Sequence, residues 1–228
     1  MRCLTALCLV FAVPFAAGAQ AADSLTVAAL KWRAIGPANS MGRLSDVVGI
    51  PSPSKTLFIA AAAGGIWKSG NNGLTWRPVF DDKRISSIGV IAIAPSDTQI
   101  VYAGTGEPNE RYPIEPGAGV YKSIDGGLTW RSMGLEKTQR IGRIVVHPTN
   151  PDIAYVAALG ATYGATPDRG LYKTIDGGKT WTLSKFISNR AGFIDVAMDA
   201  RNPQVLYAAS WERRHTAPAG SAHPSRRR

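Results

Sequence analysis

The sequence predicts an all-β protein made of β-propeller blades, each a meander of four antiparallel strands. A nine-residue phrase occurs three times, as KSGNNGLTW ending at Trp76, KSIDGGLTW ending at Trp130 and KTIDGGKTW ending at Trp181. The tryptophans are 54 and then 51 residues apart, and self-similarity at a period near fifty marks a repeat architecture. Each period also holds four short runs rich in β-branched and aromatic residues, bounded by Gly, Pro, Asn and Asp, which is the pattern of strands and turns. Four strands per period of this length make a propeller blade.

The chain opens on MRCLTALCLVFAVPFAAGAQA. One positive charge, an apolar run from Cys3 to Phe15 and small residues at Ala19 and Ala21 predict a signal peptide over residues 1–21, with an apolar run too short to span a bilayer comfortably. The expected location is therefore the periplasm or the exterior. Leu7 before Cys8 is a poor match to a lipoprotein site. Both cysteines lie in this leader, so the mature chain carries no disulfide, thiol nucleophile or cysteine-based metal site.

Residues 22–211 are read as blades. Unit one runs GRLSDVVGIPSPS, TLFIAA, GIWKS and LTWRPVF. Unit two runs SSIGVIAIAPSD, QIVYAGTG, GVYKS and LTWRSMG. Unit three runs RIGRIVVHPTNPD, IAYVAALG, GLYKT and KTWTLSK. Unit four starts in the same way, AGFIDVAMDARNPQVLYAASWERR, and then passes into HTAPAGSAHPSRRR, which has neither apolar alternation nor a fourth copy of the phrase. About three and a half blades are expected, with the ring incomplete, open strand edges that invite self-association, and a disordered basic tail over 212–228. The opening KWRAIG looks like an outermost strand without its inner partners, which points to a truncated or frame-shifted piece of a longer protein.

The recurring phrase is placed between the third and fourth strands of each blade. Its glycines supply the positive φ of a tight turn, its acidic residue accepts turn amides, and its tryptophan is expected to fold back as an apolar cap. The equivalent sets are Ser69, Asn71, Gly73 and Trp76; Ser123, Asp125, Gly127 and Trp130; and Thr174, Asp176, Gly178 and Trp181. Calcium is the competing reading of Asp-x-Gly, but one carboxylate per turn is too few for a hard cation. No metal and no cofactor are expected. His147 is the sole histidine of the repeat body, and GTGEPNE lacks the third glycine of a dinucleotide fingerprint.

S-x-D-x-G-x-x-W is the Asp-box of BNR-type propellers. The stretch from Trp32 to Arg214 resembles exported bacterial repeat proteins described as sortilin-like or glycosyl-hydrolase-like, with WRAIGPANSMGR, GTGEPNER, HPTNPDIAYVAALG and SWERR as further points of likeness. Sialidases, xyloglucanases, sortilin ectodomains and photosystem assembly factors share the device, so it implies fold more than function. The Phe-Arg-Ile-Pro motif of sialidases is absent. Xyloglucanases resemble the first unit but carry an aspartate in Arg-Thr-Asp-x-Gly-Gly, where this chain has AAAAGG with Ala62 at that position.

The net charge of +10 is partly terminal: Arg2 contributes one charge and residues 212–228 contribute four. No run of Lys or Arg is interleaved with base-stacking aromatics, so nucleic acid is not an expected partner. Aligning the units on Pro51, Pro95, Pro148 and Ala200 superposes Asp46, Val90, Arg143 and Asp195 near the start of the inner strand. Arg143 and Asp195 are candidate ligand-binding residues there. The loop after the second strand varies most, and insertions on one face of a repeat fold build binding faces. Glu107, Asn109, Arg111, Tyr112, Tyr163 and Trp211 are therefore expected to form a loop face suited to a protein, peptide or glycan. Two functions stay open: a binding or scaffold module, and a glycoside hydrolase in which Asp46 and Glu107 are the weak catalytic candidates.

Overall fold

The computed structural model describes residues 43–109 and 115–212. The expected signal peptide and the tail beyond Glu212 lie outside the described residues. Among the described residues fourteen strands form three four-stranded sheets and one two-stranded sheet. The first blade holds β1 (Leu44–Gly49), β2 (Leu57–Ala61), β3 (Gly65–Ser69) and β4 (Arg77–Pro78). The second holds β5 (Ile88–Ala94), β6 (Asp97–Thr105), β7 (Val120–Ser123) and β8 (Arg131–Ser132). The third holds β9 (Ile141–Val146), β10 (Ala154–Ala158), β11 (Gly170–Thr174) and β12 (Thr182–Lys185). The two inner strands of a fourth are β13 (Ala191–Met198) and β14 (Leu206–Glu212). Every pairing is antiparallel and sequential, as the meander reading requires.

The hydrophobic core lies between blades. Phe58, Ile66 and Phe80 of the first blade pack with Ile88, Ile91, Val101 and Trp130 of the second. Val90, Tyr102 and Val120 of the second pack with Ile141, Ile144 and Val156 of the third. A lone meander has two faces to cover, and each neighbour covers one. Burying a side chain such as Phe58 contributes about 1.5–3 kcal/mol.

Inner strands stand side by side, β5 against both β1 and β9, and β9 against β13. Each carries a bulge near its start, between Leu44 and Asp46 in β1, Ile88 and Val90 in β5 and Phe193 and Asp195 in β13. In β9 it falls between Ile141 and Arg143, which pair with the consecutive Ala158 and Ala157. The extra residue sits at the seam with the next blade. In β1 it is Ser45, whose hydroxyl donates to the Ile88 carbonyl at 2.6 Å. In β5 and β9 it is glycine. A Cβ on Gly89 would stand 2.5 Å from the Ile141 carbonyl oxygen, and one on Gly142 would stand 2.1 Å from that of Ile194.

The recurring phrase forms the turn between the third and fourth strands. In the second blade Ser123 Oγ donates to Asp125 Oδ1 at 2.7 Å and accepts the Gly127 N–H at 2.8 Å. Asp125 Oδ1 also accepts the N–H groups of Leu128 and Thr129, and Oδ2 accepts the Thr129 hydroxyl at 2.6 Å. Thr174, Asp176 and Thr180 repeat the network. In the first blade Asn71 Oδ1 accepts the Thr75 N–H while its Nδ2 donates to the Thr75 hydroxyl, so the hydroxyl reverses direction and the turn persists without charge.

Each tryptophan ring lies over the glycine of its own turn, 3.3, 3.5 and 3.4 Å from where a Cβ on Gly73, Gly127 and Gly178 would stand, and Trp130 and Trp181 also lie against the preceding blade. Trp130 meets Phe80 edge-on at 5.6 Å, and the Trp181 indole N–H donates to the Met133 carbonyl at 2.6 Å. So large a ring finds burial only against a second sheet. The third-strand lysines cross the seam the other way. Lys68 Nζ stands 5.4 Å from the Phe58 ring centre and donates to the Gly126 carbonyl at 2.6 Å. Lys122 does the same with Tyr102, at 5.0 Å, and the Gly177 carbonyl, at 3.1 Å.

Two outcomes follow from the seam and the turn. Gly142→Ala should destabilise the fold by about 1–3 kcal/mol through overpacking, whereas Gly70→Ala, with nothing within 4 Å of the new carbon, should be near neutral; paired urea titrations measure both. Burial opposes ionisation of Asp125, but the bonds from Thr129, Ser123 and Leu128 outweigh it and hold the carboxyl well below its ordinary value. The Thr180 hydroxyl, then the Thr180 N–H and Thr174, lower Asp176 to about 2. A depressed carboxylate stabilises the fold fully above the ordinary value of 3.8 and loses that contribution as pH falls toward about 2. The double variant with Asp125→Asn and Asp176→Asn should keep the fold at neutral pH and flatten the stability loss between those values, read by far-UV circular dichroism against pH.

Candidate functional site

In an antiparallel blade the start of the first strand and the end of the second lie at the same end of the sheet. Ile88 pairs Thr105, Ile141 pairs Ala158, and Gly192 pairs Trp211. The inner-strand starts and the variable loops after β6 and β10 therefore share one end of their blades. That end carries the candidate residues.

Asp46, Val90, Arg143 and Asp195 occupy one register position, opposite Ala60, Gly104, Ala157 and Ala209. Their surroundings differ. Val90 is buried in the core. Asp46 spans a seam, its Oδ2 accepting the Ile91 N–H and its Oδ1 the Val47 N–H, both at 2.9 Å. Arg143 Nε donates to Asp195 Oδ1 at 3.0 Å across the next seam, and Asp195 also accepts the Val196 N–H. Arg143 is 45% exposed and its terminal guanidinium nitrogens have no acceptor among the described residues.

Glu107 is 2% exposed and stands at the start of the loop after β6. Its carboxylate takes the Arg43 guanidinium in a fork, with Arg43 Nε at 2.9 Å from Oε1 and Nη2 on Oε2. Its N–H donates to Ser87 Oγ. Glu107 is thus a clamp between Arg43, just before β1, and the second blade's loop, and both of its oxygens are engaged. Asn109 is exposed beside it. Arg111 and Tyr112 lie outside the described residues. Tyr163 is 55% exposed in the third-blade loop, and Trp211 is 37% exposed at the end of β14. Ala62, the position at which xyloglucanases are expected to carry an aspartate, is buried, and its N–H donates to the Arg43 carbonyl at 2.9 Å.

Three arginines that shape this end escaped the sequence reading. Arg43 holds Glu107. Arg140, fully buried, donates to the Gly160 and Ala161 carbonyls at 2.9 Å. Arg169, also buried, donates to the carbonyls of Asn189, Ala161, Gly164 and Leu159. Burial lowers its pKa, yet guanidinium stays charged at any ordinary pH, and the carbonyl dipoles replace its lost water. Arg43 and Arg140 do share a signal: with Ser87, they stand eight residues before Pro51, Pro148 and Pro95. Among the described residues no group of three His, Cys, Asp or Glu side chains is placed to hold a metal ion, and no helix is long and apolar enough to cross a membrane.

No family model matches the sequence. Among curated proteins it is similar to the xyloglucanase Xgh74A of Acetivibrio thermocellus, 24% identical over 76% of this chain and 23% of the relative. A xyloglucanase of Hypocrea jecorina is 26% identical over 68% of this chain and 19% of the relative. The chain spans between 19% and 25% of the length of the curated relatives it matches. Among solved structures, an ancestral GH74 enzyme superposes with a TM-score of 0.59 at 20% identity, over 73% of this chain and 22% of its own. The GH74 enzyme of Niastella koreensis gives 0.51 at 25% identity, over 68% and 23%. These likenesses agree with the blades seen here and show a β-propeller repeat.

Glu107→Ala should cost about 1–3 kcal/mol, because it strips the acceptors from a largely desolvated guanidinium. Arg43→Ala should cost at least as much, since it leaves a buried carboxylate unpaired. Sub-additive losses in the double variant, read by thermal unfolding, would establish the coupling.

Proposed function

We propose that this chain is part of an exported Asp-box propeller that binds polysaccharide at its loop face without cleaving it. The observation that carries this reading is the state of the carboxylates. Glu107 is buried in its fork with Arg43, Asp46 is occupied by the N–H groups of Val47 and Ile91, and Ala62 stands where a xyloglucanase-like aspartate is expected. A glycosidase needs one carboxyl group free to give a proton and another free to attack or to activate water. Recognition needs less: aromatic surface for stacking on sugar rings and unspent donors for hydroxyls. Tyr163 and Trp211 offer exposed ring surface and Asn109 and Arg143 the donors, and Arg111 and Tyr112 are proposed for the same face from their place in the sequence. The xyloglucanase relatives favour a β-glucan ligand over a protein or peptide. The reading requires no metal, cofactor or nucleic acid, and the leader over residues 1–21 would deliver the chain to where polysaccharides are found.

The second reading, hydrolysis, is favoured by the names of those same relatives. One experiment separates the two. The purified chain is titrated with xyloglucan in affinity electrophoresis while reducing ends are assayed in parallel. Retardation without release of reducing ends is the expected result, weakened about tenfold by Trp211→Ala or Tyr163→Ala. Release of reducing ends that is lost in Asp46→Asn would establish the hydrolase, and failure to bind any of a panel of glucans would overturn glycan recognition.

A further inference from the structure

The first recurring turn differs from the other two at two positions, and the differences open a polar hollow beside it. Gly70 stands where Ile124 and Ile175 stand in the second and third turns, and nothing lies within 4 Å of where its Cβ would be. Asn71 stands where Asp125 and Asp176 stand. The hollow measures about 330 Å³ and is lined by Lys68, Gly70, Asn71, Thr75, Trp76 and Arg77, with no carboxylate among them. It lies at the end of the first blade where Gly49, Leu57 and Ser69 pair, away from Asp46 and the loop after β6.

The asparagine reverses part of the turn's hydrogen bonding. Asn71 Oδ1 accepts from Ser69 Oγ and from the Thr75 N–H, both at 2.9 Å, which sets Nδ2 against the Thr75 hydroxyl, also at 2.9 Å. In the other turns the hydroxyls of Thr129 and Thr180 give their protons to carboxylates. The Thr75 hydroxyl accepts instead, so its own proton is available, and so is the second amide hydrogen of Asn71. Lys68 and Arg77 stand directly opposite each other on β3 and β4. Their counterparts in the second blade are Lys122 and Arg131, where Asp152 stands 3.5 Å from Lys122. At the first seam the place of Asp152 is taken by the neutral Gln99. Lys68 donates to the Gly126 carbonyl, whereas Arg77 is exposed with no acceptor for its guanidinium among the described residues. Burial, and then Arg77, lower the Lys68 pKa against a smaller upward pull from Asp125, so a bound anion would relieve a repulsion already present.

We propose that this hollow binds the carboxylate of an acidic sugar residue, a uronate, within a glycan chain. The planar Arg77 guanidinium takes the carboxylate in a fork, and the Thr75 hydroxyl and the Asn71 amide supply further donors. The half-buried Trp76 offers ring surface to the sugar. That ring separates a uronate from a free inorganic anion, which would leave the indole unused. The site lies apart from the loop face and does not rest on the reading of that face as a β-glucan site.

The probe is an oligogalacturonate, with its fully methyl-esterified form as the uncharged control, each titrated into the nitrogen-15-labelled full chain. Saturable shifts of the Thr75 and Arg77 amides and the Trp76 indole N–H are expected with the free acid and not with the ester. Arg77→Gln, Asn71→Asp and Gly70→Ile should each weaken binding about tenfold. The last two restore what the second and third turns carry, so those variants should keep their circular dichroism spectra. Arg131→Gln removes the same charge from the second blade and should leave binding unchanged. No saturation by about 10 mM, indifference to the three substitutions, or an equal loss with Arg131→Gln overturns the proposal. The same shifts with inorganic phosphate at equal concentration would also overturn it, in favour of a site for free anions.

Discussion

The repeated contact between one blade's turn and the next blade's flank is the constraint on which the rest of the structure depends. A four-stranded meander of this size has two faces and little interior. Its aromatic and β-branched residues reach zero exposure only where a neighbour lies against them, as Phe58, Ile88 and Val101 do at the first seam. The tryptophan of the recurring phrase supplies much of that contact, and the lysine reaching a glycine carbonyl fixes its angle. The glycines of the inner strands set how closely the blades approach.

The same constraint governs the candidate site. Because the inner strands are locked side by side, their bulged starts bring Asp46, Arg143 and Asp195 to one end, next to the loops after the second strands. There the polar groups divide into two kinds. Arg43, Glu107, Arg140 and Arg169 are spent on holding loops, each buried or bridged by fixed acceptors. Asn109, Tyr163, Trp211 and Arg143 are the exposed ones. A carboxylate committed to a guanidinium fork is a structural part, and Glu107 serves that role in this blade array.

Much of the fold was legible from residues alone because it is periodic. Strand alternation, the turn phrase and the proline spacing each report a local preference, and all three repeat in register. The superposition of Asp46, Val90, Arg143 and Asp195 came from the same periodicity, since a register repeated in every blade needs no knowledge of what faces it. The site was less legible. Glu107 reads as a free acid in GTGEPNER, because nothing in that stretch reveals the arginine that meets it 64 residues away.

The sequence by itself determined the four-strand units, their turns and the equivalence of positions between units, because these follow from backbone preferences within a few residues of each other. Only the tertiary structure decided where the tryptophans point and which carboxylates are neutralised. Those outcomes depend on contacts between blades, where burial and charge pairing join residues that are remote along the chain.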